Sequence, residues 1–142
     1  MINKRYILEK WSEHGIVFKW LHFRASNNMK RKAFCFSVPI LVLNTISSGF
    51  IYNTELFSYS KKSLIIFEVV LGSMNMICAI LSGIRDYCKF SEMGELHDQC
   101  YHNWTRFKNE LSVEMVSMED GELDLFISKM KSRYVELITS SP

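Results

Sequence analysis

Proline and glycine are scarce in this sequence, with two prolines and six glycines among 142 residues. So few turn-forming residues argue against an all-β protein, whose many short strands need frequent tight turns. The first thirty residues also lack a continuous apolar core, which excludes a cleavable signal peptide. We therefore expect a helical chain whose first long apolar run directs its own insertion into a membrane.

An excess of charge of one sign is also missing, because 17 Lys and Arg face 15 Asp and Glu for a net charge of +2. This balance gives no reason to expect a nucleic-acid partner. Four cysteines are present without metal-site spacing and outside any short secreted framework, so we expect free thiols. They are Cys35, Cys78, Cys88 and Cys100.

Motifs for catalysis or metal binding are absent too. The chain has no nucleophile elbow and no glycine-rich phosphate loop. Its histidines include no pair spaced i, i+4, and its glutamates include no Glu-x-x-His motif. His14 and His97 fall in apolar stripes, where a packing role is favoured over a ligand role. We expect neither an enzyme nor a bound cofactor or metal. The residues considered are His14, His22, His97, His102, Glu92, Glu95 and Glu110.

Two long apolar runs dominate the sequence. The run 33–53 carries no charge, and the run 64–84 carries only Glu68. A helix of either length rises ~30 Å, which matches the hydrocarbon core of a bilayer. We predict two transmembrane helices joined by the short polar segment Asn53–Ser63, which together form a hairpin.

The flanking segments carry helical apolar stripes. Residues 1–29 and the stretch from Phe90 to Leu111 repeat apolar positions at steps of three and four, which is typical of a coiled-coil seam. We expect a single helix from Leu64 to Leu111, a bend at Ser26–Asn28, a break at Val113–Ser117 and a last helix, capped from 117–120, that ends near the terminal Ser-Ser-Pro. The first and third segments should pair antiparallel. The packing residues expected in this stalk are Trp11, Phe18, Phe90, His97, Trp104 and Phe107.

The predicted fold is thus an all-α membrane protein with one domain, 1–142. It consists of a helix over 1–29, transmembrane helices over 33–53 and 64–84, and further helices over 85–142. Seven Lys or Arg residues flank the outer ends of the two spans, against two in the connection, which places both termini in the cytosol. Which membrane is crossed stays open.

Polar and small residues within the spans are the candidate site. Asn44 and Asn75 fall at similar depth in antiparallel helices, near the bilayer centre. Such residues serve either as packing contacts between helices or as a weakly polar pore lining. Glu68 is either a carboxylate reaching for the interface or part of a ring at the pore mouth. The full set is Asn44, Ser47, Ser48, Glu68, Gly72, Asn75, Ala79 and Gly83.

The basic run Lys30-Arg31-Lys32 lies at the start of the first span. Cationic side chains at a membrane boundary commonly contact lipid headgroups. We expect these three residues to be headgroup anchors, with a specific binding site as the alternative.

Several short motifs resemble those of the two-transmembrane SLATT effector family. They are Asn44-Thr45-Ile46-Ser47 in the first span, 75–83 (NMICAILSG) in the second and 89–97 (KFSEMGELH) after it, followed by Trp104. The resemblance extends to Trp11, Trp20 and the terminal Ser-Ser-Pro. It is closest to homologues encoded by large DNA viruses of eukaryotes. It implies a membrane-perturbing or pore-forming effector whose trigger comes from a separate sensor.

Two functions remain open from the sequence. One is a homo-oligomer, assembled through the stalk, that forms or gates a pore or perturbs a membrane. The other is a structural membrane anchor or scaffold, with a virion membrane protein as one form. Both have a lipid bilayer as partner, and the same polar residues serve either function.

The Lys and Arg asymmetry gives a test of topology. With the four native cysteines replaced by Ser, single cysteines in the Asn53–Ser63 segment should react with impermeant maleimide only from the non-cytosolic side. Cysteines replacing Lys4 or Ser140 should react only from the cytosolic side. Labelling of Lys4→Cys or Ser140→Cys from the non-cytosolic side would contradict the predicted orientation.

Overall fold

The computed structural model describes residues 4–53, 61–117 and 123–142, which are almost entirely helical and include no strand. The helices are α1 (Lys4–Asn53), α2 (Lys61–Cys88), α3 (Phe90–Ser117) and α4 (Leu123–Thr139). The predicted all-α fold is confirmed. The four cysteines are free thiols, as expected.

The chain divides into two compact units. The first takes in the described parts of Met1–Asn28 and Glu92–Pro142, and the second is Met29–Ser91. The second unit contains both long apolar runs, whereas most of the charged residues belong to the first. This division follows the sequence pattern, because the continuous apolar runs lie in one unit and the segments with apolar stripes and charged faces lie in the other.

The first unit has a core made by the first part of α1 together with α3 and α4. Trp104, Phe107 and Leu111 of α3 are completely buried in it. Burying a side chain of this size contributes about 1.5–3 kcal/mol, so the α3 stripe is a main source of stability. The buried cluster is Leu8, Trp104, Phe107, Leu111, Leu123, Phe126 and Met130, and the partly buried side chains packed on it are Trp11, Phe18, Cys100, Met115, Ile127, Tyr134 and Leu137.

The predicted antiparallel pairing of α1 with α3 is confirmed within this unit. The rings of Phe18 and Trp104 stack with centroids 4.8 Å apart. Further along, the Ser26 hydroxyl donates a hydrogen bond of 2.9 Å to the carbonyl of Gly94. From the first contact to the second, residue numbers rise along α1 and fall along α3, so the two helices are antiparallel. The contacts also show that their apolar stripes face each other.

Helix α4 closes the core from the other side. Tyr134 stacks on Trp11 with ring centroids 5.4 Å apart. Glu110 of α3 pairs with Lys129 at 3.1 Å and with Arg133. Burial raises the pKa of Glu110, but the hydrogen bonds and charges of these two cations outweigh burial and leave that pKa below its usual value.

The end of α4 is capped by its own hydroxyl side chains. Ser141 Oγ donates to the carbonyl of Leu137 at 2.7 Å, and Thr139 Oγ1 donates to that of Val135 at 3.0 Å. The last turn of a helix leaves carbonyls without partners inside the helix. The Thr-Ser-Ser sequence therefore supplies donors for the carbonyls of Val135, Glu136 and Leu137 near the end of the helix.

Two expected interruptions are wrong. Helix α1 runs unbroken through Ser26–Asn28, because the Ser26 hydroxyl bonds to α3 instead of competing for its own backbone. Helix α3 likewise continues through Val113 to Ser117. Met115, which packs on the core, holds that last turn in place. The proposed cap over 117–120 lies largely outside the described residues, as does most of the connection between the spans.

The single helix expected from Leu64 to Leu111 is interrupted at one residue. Lys89 separates α2 from α3 with a left-handed φ of 47°. Its N–H still donates to the carbonyl of Arg85 at 3.2 Å, so the last turn of α2 remains closed. A left-handed residue ends a helix in the manner of a C-terminal cap, and α3 then begins anew.

Trp104 and Trp20 provide a matched test of this core, because Trp104 is 0% exposed and Trp20 is 54% exposed. Trp104→Ala should lower the free energy of unfolding by about 3–5 kcal/mol, since it opens a large cavity. Trp20→Ala should cost less than about 1 kcal/mol. Chemical denaturation in detergent micelles measures both, and equal losses would mean that Trp104 does not lie in a packed core.

Candidate functional site: the polar face of the apolar helices

Two stretches of the described chain are long and apolar enough to cross a membrane, and they lie within Arg5–Ile51 and Ser63–Met115. Only 11% and 6% of their most apolar windows are buried inside the structure. The core helix of a soluble protein hides such residues. Here large side chains such as Leu41, Ile65 and Ile66 are 60–68% exposed. Exposed apolar surface of this extent is typical of a membrane or protein contact.

Within the second unit, aromatic contacts fix how its segments pack. Phe50 meets Phe67 edge to face with centroids 5.6 Å apart, and Phe36 stacks on Phe90 at 5.8 Å. Phe67 lies near the start of α2, and Phe90 follows the end of α2 as the first residue of α3. Residue numbers therefore fall along α1 as they rise along this stretch, so α2 runs antiparallel to the second part of α1. Ile40, Ser47 and Cys78 are the buried side chains of this unit.

Some hydroxyls on these helices are satisfied by their own backbone. Thr45 Oγ1 donates to the carbonyl of Leu41, and Ser73 Oγ donates to that of Val69, both at 2.8 Å. This bond to the carbonyl four residues earlier lets a helix carry Ser or Thr in an apolar setting. Neither hydroxyl therefore requires an outside partner.

Ser47 and Ser48 have different environments. Ser47 is buried, with only 4% of its surface exposed, and its Oγ has no hydrogen-bond partner. Ser48 is exposed. Of the two predicted site residues, Ser47 thus lies in the packing between helices, while Ser48 lies on the open surface.

The amides and the carboxylate remain open in a single copy of the chain. Asn44, Asn75 and Glu68 are exposed. None of them has a hydrogen bond or ion pair to any residue in the described part of the chain. A Cβ added at Gly72 or Gly83 would meet nothing within 4 Å. Within the described residues, these polar groups are therefore unpaired and the two glycines border open space.

The open positions on α2 share one face. From Glu68 the steps to Gly72, Asn75, Ala79 and Gly83 are four, three, four and four, which keeps side chains on one side of a helix. Asn44 and Ser48 are spaced by four on α1. Successive residues of a helix are turned by ~100° about its axis. Measured in the direction of increasing residue number, the set on α1 lies roughly 60–140° from the buried Ser47, and the set on α2 lies roughly 60–140° from the buried Cys78. Because the helices are antiparallel, both sets fall on the same side of the pair. We call this surface the polar face.

The other predicted residues have varied placements. Trp11 and Phe18 are partly buried, and Trp104 and Phe107 are fully buried, in the core of the first unit. Phe90 lies instead in the second unit, where it stacks on Phe36. The basic residues are exposed, and the Lys32 ammonium lies 5.7 Å from the centroid of the Phe90 ring. They are Lys30, Arg31 and Lys32.

One pair of side chains was missed by the sequence reasoning. His97 lies next to His22, with the two Nδ1 atoms 3.1 Å apart. Only histidine spacings within one helix were considered, whereas this pair joins α1 to α3. The available signal was the antiparallel pairing itself, since His22 lies about one turn after Phe18 and His97 lies about two turns before Trp104. No group of three or more His, Cys, Asp or Glu positioned for a metal occurs among residues 4–53, 61–117 and 123–142.

Ser47 and Ser48 make a matched pair for testing the packing of the second unit. Ser47→Leu should lower the unfolding temperature in micelles, because the larger side chain has no space at the buried contact. Ser48→Leu should leave that temperature nearly unchanged. Ser47→Ala should be neutral or stabilising by about 1 kcal/mol, since it removes an unpaired buried hydroxyl. A similar effect of Leu at both positions would contradict this assignment.

No protein-family model, curated protein or solved structure matches the chain. The chemistry of its exposed apolar helices and of their polar face is therefore what bears on function.

Proposed function

We propose that the chain is an integral membrane protein that crosses a bilayer as a hairpin of residues 33–53 and 64–84, and that several copies assemble to form or gate a pore. This is the activity implied by the resemblance to SLATT-type effectors. The observation that carries the proposal is the polar face, whose amides and carboxylate have no partner among the described residues of one copy.

Membrane insertion is supported by the exposure of the apolar side chains. Each exposed Ile, Leu or Val on the two helices costs free energy in water at about 25 cal/mol for every Å². Lipid tails remove that cost without any further protein contact. The satisfied hydroxyls of Thr45 and Ser73 suit the same environment.

Assembly is supported by the polar side chains whose hydrogen bonds and charge lipid tails cannot satisfy. An amide without a hydrogen bond is costly in hydrocarbon, and an unpaired carboxylate costs more. Asn44 and Asn75 therefore need a neighbouring copy or water, and Glu68 needs water or a cation. Gly72, Ala79 and Gly83 leave room along the same face for another helix to approach.

The surface used for assembly differs from the one first expected. The α3 stripe is filled by α1 and α4 of the same chain, so Trp104 and Phe107 are not available to a second copy. The first unit instead exposes apolar side chains on the outer side of α1. About half of each is exposed, and they are Ile16, Val17, Trp20, Leu21 and Phe23. We propose that assembly uses the polar face, with this α1 surface as a secondary contact.

The proposed orientation keeps the first unit in the cytosol. Lys30, Arg31 and Lys32 then lie at the headgroup level, where anionic lipids attract them. Glu68 lies near the non-cytosolic end of its span. A ring of such carboxylates at a pore mouth favours cations.

Current through planar bilayers tests the pore. Reconstituted protein should conduct, and Asn44→Leu with Asn75→Leu should abolish the current, because an apolar constriction expels water. The matched control is Thr45→Leu with Ser73→Leu, which makes two polar-to-Leu changes outside the polar face, at hydroxyls that bond to their own helix backbone. That control should conduct as the unaltered protein does.

Two further results complete the test. Glu68→Gln should reduce cation preference in reversal-potential measurements without changing oligomer size. If the unaltered protein is silent across lipids, voltages and added cytosolic nucleotides, while the double Asn change weakens assembly, the polar face serves only packing. The chain is then a structural membrane anchor rather than a pore.

A further inference from the structure

His22 and His97 form a pair at the centre of the contact between α1 and α3. Their Nδ1 atoms are 3.1 Å apart, and their rings are tilted by 39° with centroids 5.3 Å apart. His22 has only 7% of its surface exposed. The hydrogen bond from Ser26 to Gly94 lies on one side of the pair, and the stack of Phe18 on Trp104 lies on the other.

The geometry restricts where protons sit. Two Nδ1 atoms at hydrogen-bond distance require one to donate and the other to accept. The accepting ring must therefore be neutral, with its proton on Nε2. A proton added to the accepting Nδ1 would break the bond and bring two N–H groups together. The closed pair accommodates one positive charge at most.

The surroundings give no compensation for a second charge. Neither ring has an ion pair or another hydrogen bond within the described part of the chain. The charged or titratable groups nearby on α1 are Lys19, whose ammonium lies 5.5 Å from the Tyr101 ring centroid, and Arg24, which lies over Trp20. On α3 they are Asp98, which is partly buried with contacts of its own, Tyr101, and Cys100.

Ser141, which follows the end of α4, also lies near Cys100, and its interaction with the thiol lowers the pKa of Cys100 by less than burial raises it. Burial raises the pKa of that thiol, so Cys100 stays neutral. Burial, and then the charge of a protonated His97, lower the pKa of His22. Protonation of the histidine pair is therefore unfavourable, and neither ring has an ion pair with a carboxylate in the described part of the chain to offset it.

We propose that the His22–His97 pair makes the contact between α1 and α3 acid-sensitive, so that proton uptake separates these helices in the first unit. The neutral pair stabilises the contact fully above the ordinary histidine pKa of ~6.5. That stabilisation declines as the pH falls through the pKa of the unfolded state and then through the lower pKa of His22 in the folded state. This inference concerns the first unit alone and holds whether or not the second unit conducts.

Hydrogen exchange of the full chain in detergent micelles at pH 7.5, 6.5 and 5.5 tests the proposal. Rates are divided by the intrinsic rate at each pH, which gives protection factors for 15–26 and 94–107. Each extra proton bound by the open state increases its population by up to about tenfold per pH unit. Protection over both segments should fall together as the pH decreases. Glu110 titrates below this range, so its ion pairs should remain formed.

The matched variants are His22→Gln with His97→Gln, and His102→Gln. Two glutamines keep donors and acceptors without the ability to take up a proton, so the double variant should lose most of the pH dependence. His102 is exposed on the same helix, and its replacement should leave the pH dependence intact. A double variant that responds to pH as the unaltered chain does would overturn the proposal.

Nitrogen NMR of the histidine side chains provides a check that needs no substitution. At pH 7.5 one ring of the pair should carry its proton on Nδ1 and the other on Nε2. Protonation of the second ring should coincide with the loss of protection. Two rings with the same tautomer, or two charged rings while the contact stays protected at pH 5.5, would contradict the proposal.

Discussion

The antiparallel contact between α1 and α3 is the interaction on which the first unit depends. It places Phe18 on Trp104, His22 beside His97 and Ser26 against Gly94, so that an apolar contact is followed by two polar ones along one line. Helix α4 then covers the outer side of Trp104 and Phe107 through Tyr134. Without the first contact, neither the stacked rings nor the buried hydrogen bond would have a partner. This order of contacts also gives the pairing one register, since a shift by one turn would put a histidine against an indole.

The second unit differs from the first in how its apolar surface is covered. Its helices bury little of their own apolar surface, and helical backbone bonds to itself apart from the turn that contains Pro39. Such an arrangement is stable where the solvent is itself apolar, because lipid replaces the missing packing. The positions that lipid cannot satisfy lie together on one side of the helix pair. Thr45 and Ser73, which lie outside that set, carry hydroxyls bonded to their own backbone.

The sequence allowed the helices, the apolar runs and the pairing of α1 with α3 to be predicted, because periodicity records which side of a helix is buried. It did not reveal the interruption at Lys89, since lysine carries no preference for a left-handed backbone. The expected bend at Ser26 failed because its partner, Gly94, is distant in sequence. The periodicity of apolar residues also does not show whether a stripe is covered by helices of the same chain or by another copy. The stripe on α3 was expected to pair with α1 and also to assemble an oligomer through the stalk, and in the structure α1 and α4 of the same chain fill it. In the candidate site, Ser47 and Ser48 are equivalent in sequence and are distinguished only by burial.

The first unit is built from two segments separated by the whole of the second unit. Its contacts join residues far apart in the chain: the hydrogen bond between His14 and Tyr134 spans 120 positions, and that between His22 and His97 spans 75. Closing so long a loop in free solution is slow and costs chain entropy. If the intervening hairpin inserts into a bilayer first, the start of α3 is brought close to the end of the first part of α1, with which α3 pairs. The membrane would then act as a template for folding, raising the effective concentration of one half of the unit near the other.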